Sequence, residues 1–82
     1  MISFQKAVIK EYESKGYTVL KFIRLNKSGY PDLMCLKNGD AVFIECKEAK
    51  DTLKPLQKLR IDELRANGFE AIVVQEGKGK IY

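Results

Sequence analysis

The chain of 82 residues contains no histidine and no tryptophan, and only two prolines and two cysteines. Without histidine there is no imidazole base, no Cys-His or Ser-His-Asp constellation and no histidine-bearing zinc site. Any chemistry falls to carboxylates, lysine, tyrosine or thiols, together with an oxygen-preferring metal. Cys35 and Cys46 each sit in an apolar-rich, strand-like run. They form no disulfide framework, and both read as buried or half-buried thiols of a reducing, intracellular setting. No apolar run nears the ~18–20 residues of a membrane span. The N-terminus is amphipathic and lacks the apolar centre of a signal peptide, so neither export nor a membrane partner is expected.

What is present bounds a single domain, residues 1–82. Area scaling gives roughly 13,600 Å² for the extended chain and roughly 5,000 Å² folded, so about 63% is buried around a thin core. With 45% hydrophobic residues the chain is too apolar for disorder. Fifteen Lys and Arg against eleven Asp and Glu leave a net charge of +4, which permits a polyanionic partner without specifying one.

Residues 3–15 read as a helix capped by Ser3, with Phe4, Val8 and Tyr12 as its apolar stripe and Gly16 beyond its end. Residues 18–24 read as a strand, and 26–29 as a polar break. Residues 32–37 and 40–47 are two further strands joined by Asn38-Gly39, the strongest short-range hairpin signal. Pro55 opens a second helix over 55–67, followed by a strand at 69–74. Residues 76–82, rich in Gly and Lys, are expected as a flexible tail. The order helix, strand, strand, strand, helix, strand predicts an α/β fold. Its first three strands form a meander and the fourth joins after a helical crossover.

The turn also fixes a register. A two-residue loop pairs Lys37 with Asp40, Met34 with Phe43, Leu33 with Ile44 and, by the same count, Asp32 with Glu45. The last is a non-hydrogen-bonded pair, where the Cα atoms are only about 4.5 Å apart. Lys47, two residues on, shares the face of Glu45. Opposed carboxylates cost stability unless a cation intervenes, and Mg²⁺ or Mn²⁺ takes such oxygen ligands. The Lys47 ammonium can then orient or help deprotonate a metal-bound water. The plain alternative is a solvated surface pair, but Glu45 and Lys47 interrupt a strongly apolar strand. Pro31 has no N–H for its place opposite Cys46, so the ladder should end or splay there. Gly29 suggests positive φ or a close backbone approach.

The combined string is Gly29-Tyr30-Pro31-Asp32-Leu33, then Glu45-Cys46-Lys47, then Leu53-Lys54-Pro55-Leu56-Gln57. It resembles the PD-(D/E)XK nucleases, and more narrowly a standalone VRR-NUC domain similar to Holliday junction resolvases. The resemblance spans Phe4 to Val74. It implies a restriction-endonuclease-like αβββαβ core with a mixed four-stranded sheet flanked by helices. It also implies Mg²⁺- or Mn²⁺-dependent hydrolysis of DNA phosphodiester bonds, selective for branched or four-way DNA, by a homodimer. On that likeness Asp32, Glu45 and the backbone carbonyl of Cys46 hold the metal, Lys47 is the catalytic lysine, and Gln57 supports the site or the substrate.

Two positions depart from the pattern. The family's first-helix glutamate is matched by Gln5, which could reach a metal through a water but carries no charge. Glu11 is the nearest acid on that helix. Lys54 stands where a capping serine is usual, so Asp51 or Thr52 would cap if the helix began earlier. Lys27, Lys50 and Lys54 offer a basic rim for phosphates, and Tyr30 could stack on a base or simply pack. Three readings remain open. The chain is an endonuclease, a nucleic-acid-binding module of the same fold that cleaves weakly or not at all because Gln5 replaces the glutamate, or a small structural or toxin-like protein with an incidental hairpin.

Overall fold

The computed structural model describes residues 2–82. Helix α1 (Phe4–Ser14) starts where Ser3 Oγ accepts the Lys6 N–H at 3.2 Å, and it stops before Gly16 at φ +93°. Strands β1 (Thr18–Lys21), β2 (Leu33–Lys37) and β3 (Asp40–Lys47) form the expected antiparallel meander. Asn38 and Gly39 both take positive φ, 51° and 82°, and set Lys37 against Asp40 and Leu33 against Ile44. The register counted from the turn is therefore the one adopted. Helix α2 (Pro55–Ala66) carries the chain across to β4 (Glu70–Gln75), which lies parallel to β3.

Alternation along the strands sends side chains to two covers. Val8 of α1 packs with Leu33, Cys35, Val42 and Ile44 on one face. Ile61 of α2 packs with Ala71 and Val73, with Phe43 against them, on the other. Glu45 and Lys47 follow Phe43 in the same alternation and so belong to the α2 face. The folded chain exposes 5510 Å² and measures 34 × 31 × 23 Å. No helix among the described residues is long and apolar enough to cross a membrane.

The sheet differs from expectation in having five strands, in the order β1-β2-β3-β4-β5. Residues 76–82, read from composition as a loose tail, turn through Gly77 and Gly79, both at positive φ, into β5 (Gly79–Lys80). Ile81 N–H then bonds to Val73 O at 2.8 Å, and the Tyr82 ring lies under Lys58 and Arg65 of α2. A strand this short has no periodicity to show in the sequence. Two smaller boundaries also move. β1 ends at Lys21 and β2 begins at Leu33, leaving 22–32 as a loop.

Candidate functional site

The ladder between β2 and β3 ends at Leu33–Ile44, one pair before Pro31 would have interrupted it. Asp32 leaves the ladder and uses its carboxylate instead. Its Oδ2 accepts the Cys46 N–H at 3.1 Å, while its carbonyl accepts the Phe22 N–H at 2.8 Å. The Cys46 N–H, which a continued ladder would have given to the Pro31 carbonyl, is taken instead by this carboxylate, which holds Asp32 beside the end of β3.

Glu45 is buried at 4% exposure and Lys47 at 2%, in a strand otherwise filled with apolar side chains. Such charges stay inside a protein only when paired. Lys47 Nζ lies 3.6 Å from Glu45 Oε2 and 3.6 Å from Asp51 Oδ2. Gln57 of α2 donates from Nε2 to Glu45 Oε2 at 3.3 Å. Burial, then the nearby Asp32 charge, push the Glu45 carboxyl up to about 7, against the pull of Lys47. Asp51 is held low by the Thr52 N–H and by Lys47. The structure therefore brings Asp32, Glu45, Lys47 and Gln57 together. Asp32 Oδ1 and Glu45 Oε1 accept no hydrogen bond among the described residues.

The other candidates play different parts. Gln5 lines a cavity of about 210 Å³ with Ser3, Phe4, Cys46 and Glu48, and bonds to none of the four. Glu11 is exposed and paired with Lys15 at 3.1 Å. Cys46 contributes backbone, and its side chain packs toward the α1 core, where burial raises the thiol to about 12. Lys27, Lys50 and Lys54 are exposed. Tyr30 packs: its hydroxyl donates to Glu63 and Arg60 covers its ring at 4.8 Å, so that ring face is closed to a base. Neither Asp51 nor Thr52 caps α2, because the helix begins only at Pro55. Gln57 caps instead, its Oε1 accepting the Lys54 N–H at 3.0 Å.

Two site residues were not among the candidates. Asp51, four residues from Lys47, is its second carboxylate partner. Gln75 sits beside Lys47 in the parallel register and is 5% exposed. Its Nε2 donates toward the carbonyls of Glu48, Ala49 and Asp51 at 3.0, 3.3 and 2.7 Å. A glutamine closing an apolar strand was the available signal, but only the crossover pairing shows which residue it serves.

Two acids and one ammonium at the end of a hairpin, backed by a glutamine from the next helix, are the pattern on which the resemblance rested. The VRR-NUC domain model matches residues 3–76. The chain belongs to the VRR-NUC domain family. It is 33% identical over 73 residues to "Putative nuclease p44" of Acyrthosiphon pisum secondary endosymbiont phage 1, covering 88% of this chain and 78% of that protein. It is 37% identical over 84 residues to UPF0102 protein RD1_1191 of Roseobacter denitrificans, covering 95% of this chain and 62% of that one. Among solved structures it superposes on a VRR_NUC domain with a TM-score of 0.73 and 30% identity, over 84% of this chain and 76% of the other. The fold also matches Hjc, a Holliday junction resolvase of the archaeal hyperthermophile Archaeoglobus fulgidus. There the TM-score is 0.68 at 20% identity, over 88% of this chain and 64% of that one. This VRR-NUC domain therefore has the α/β nuclease core with a mixed sheet flanked by helices. Among its described residues, however, no three Asp, Glu, Cys or His side chains gather as a ready metal cage.

Proposed function

We propose that this VRR-NUC domain is a DNA-binding module of the nuclease fold whose divalent-metal-dependent phosphodiester hydrolysis is weak. The observation that carries this is the donor set. Asp32 and Glu45 each keep one carboxylate oxygen without a hydrogen bond, and the third acid, Asp51, faces Lys47 and forms no three-residue cluster with them. Two carboxylates suit Mg²⁺ or Mn²⁺, which commonly bind through one or two carboxylates and complete their shell with waters and substrate phosphates. Asp32, Glu45 and the Cys46 carbonyl are the residues to hold the ion, and Gln5, which shares a cavity with Cys46, is uncharged. When bound, the ion neutralises charge on the phosphoryl group under attack.

The chain's own residues supply positioning. Gln57 and Lys47 fix the orientation of Glu45, and the Cys46 N–H fixes Asp32. Lys47, held between Glu45 and Asp51, offers its ammonium at the scissile phosphate and so orients the attacking water. Lys27, Lys50 and Lys54 carry backbone affinity without base specificity. The fold shared with a Holliday junction resolvase supports branched or four-way DNA as the substrate, and a homodimer would bring two such sites to its two strands. A body 34 Å long reaches one such strand at a time.

A second reading, a fully active structure-selective endonuclease, is favoured by one observation. A buried ammonium against a buried glutamate is costly, and binding DNA does not require it. A cleavage panel of linear, flapped, nicked and four-way DNA with Mg²⁺ and Mn²⁺, together with binding in Ca²⁺, tests both readings. The expected result is binding with a preference for branched DNA and slow nicking. The nicking should be lost in Asp32→Ala and Lys47→Ala while Lys47→Ala still binds. Gln5→Glu should tighten Mn²⁺ binding by calorimetry. Metal-independent cleavage, or full cleavage by Lys47→Ala, overturns the site. Fast Mg²⁺-driven turnover selects the second reading. Sedimentation tests the homodimer.

A further inference from the structure

Residues 22–32 form a loop around an open pocket of about 280 Å³ that ends at Asp32. Its neck is closed by the Phe22 N–H to Asp32 carbonyl bond. Beyond the neck, the N–H groups of residues 23–30 meet no acceptor among the described residues. The outer side of the loop is firmly held. Ser28 O accepts Arg60 Nε at 3.0 Å, Tyr30 bonds to Glu63, and Gly29 lies so close to Leu56 that a Cβ would stand 2.6 Å from its Cγ. The loop is thus pinned to α2 through its carbonyl and side chains, while its backbone donors are left without partners.

Arg24 and Lys27 line the same pocket with the Ser28 hydroxyl, and neither cation has an ion-pair partner among the described residues. Asp32 is the one acid of the lining. Amide donors without a protein acceptor, two free cations and a hydroxyl suit an anion with several acceptor oxygens. We propose that the 22–32 loop is a phosphate subsite, gripping a backbone phosphodiester of the bound strand next to the one at Asp32. Arg24 and Lys27 supply the charge, and the 24–30 amides supply the geometry. This rests on the DNA-binding reading above for its ligand, and assigns Tyr30 to holding the loop.

The test has two arms. In the first, ¹⁵N-labelled protein without metal is titrated with inorganic phosphate and with thymidine 3′,5′-bisphosphate. Saturable amide shifts centred on residues 24–30 are expected, stronger for the bisphosphate. Shifts spread over all lysine-bearing surfaces, or absent from the loop, overturn the subsite. In the second, Arg24→Ala/Lys27→Ala is compared with Lys6→Ala/Lys10→Ala on α1, with DNA affinity in Ca²⁺ measured against salt. All four side chains are exposed, so the fold should be kept. The loop pair should lose about 10-fold at 0.1 M salt and lower the log–log salt slope by nearly 2, while the α1 pair changes little. Equal losses from both pairs, or an unchanged slope, overturn the subsite. Wild-type protein that binds no DNA overturns the functional reading, and the phosphate titration then still judges the loop.

Discussion

Gln57 ties Glu45 to the beginning of α2. Its Oε1 accepts the Lys54 N–H at 3.0 Å, so the amide presents Nε2 to Glu45 Oε2 at 3.3 Å. One side chain therefore closes the helix start, which Lys54 cannot cap, and also supplies a donor to a buried carboxylate. Gln57→Leu loses both roles and should cost about 1 kcal/mol in urea unfolding, the scale of a lost cap. Gln57→Glu keeps the acceptor for Lys54 but sets a second carboxylate against Glu45. It should raise the Glu45 midpoint further, read from the ¹³Cδ shift across pH, while leaving the helix start intact.

Glu45 also gives the metal-free protein a pH signature. Its carboxyl is raised to about 7 from 4.5, first by burial and then by Asp32. Below pH 4.5 folded and unfolded chains are both protonated, and the contribution is fully present. Between 4.5 and 7 the unfolded chain releases its proton first, so stability falls as pH rises through this window. Asp51, lowered from 3.8, acts below that window and with the opposite sign. Unfolding free energies from urea titrations at pH 4.5 and 8 should differ by on the order of 2 kcal/mol, and Glu45→Gln should flatten the difference. Saturating Mn²⁺ should flatten it as well, because an ion at Asp32 and Glu45 favours the ionised form. An equal slope in Glu45→Gln would assign the pH dependence to another group.

The part of this site written in local sequence was legible. Asn38-Gly39 admits one turn geometry, so it fixed which residues of β2 and β3 oppose each other, and the strand period put Glu45 and Lys47 on one face. What depended on distant pairing was not. Gln75 lies beside Lys47 only because β4 returns parallel to β3, and no feature of 71–75 states that register. Asp32 was expected as a ladder partner of Glu45. It instead takes the Cys46 N–H with its side chain, since Pro31 next to it cannot continue strand pairing and a short carboxylate can fold back. The 76–82 strand was lost for a different reason. Glycine and lysine signal looseness by composition, but here Gly77 and Gly79 are the residues that permit the reversal.

Gln75 should prove to be the support for Lys47. Its amide is the shared donor for three carbonyls of the 48–51 turn, and that turn carries the Asp51 carboxylate to Lys47. Gln75→Leu keeps most of the volume and strips the donors, so it should destabilise the fold by about 1–3 kcal/mol. Amide exchange should quicken first over 48–52, ahead of the β-sheet. Uniform loss of protection would instead make Gln75 a general core residue.

Gly29 separates backbone strain from contact. A methyl group at this position meets Leu56 Cγ at 2.6 Å, Leu56 Cδ2 at 3.1 Å and Arg60 Cγ at 3.3 Å, at φ +88°. Gly39 has a similar φ, +82°, with nothing within 4 Å. Gly39→Ala should therefore cost only the conformational penalty, about 1 kcal/mol. Gly29→Ala adds the overlap and should cost about 2–3 kcal/mol. Pairing it with Leu56→Ala removes the overlapping atoms, so the double variant should be about 1 kcal/mol better than the sum of the singles. Gly39→Ala with Leu56→Ala should simply add. If both combinations are additive, the loop does not press on α2, and the anchoring of Asp32 through residues 28–30 must be sought elsewhere.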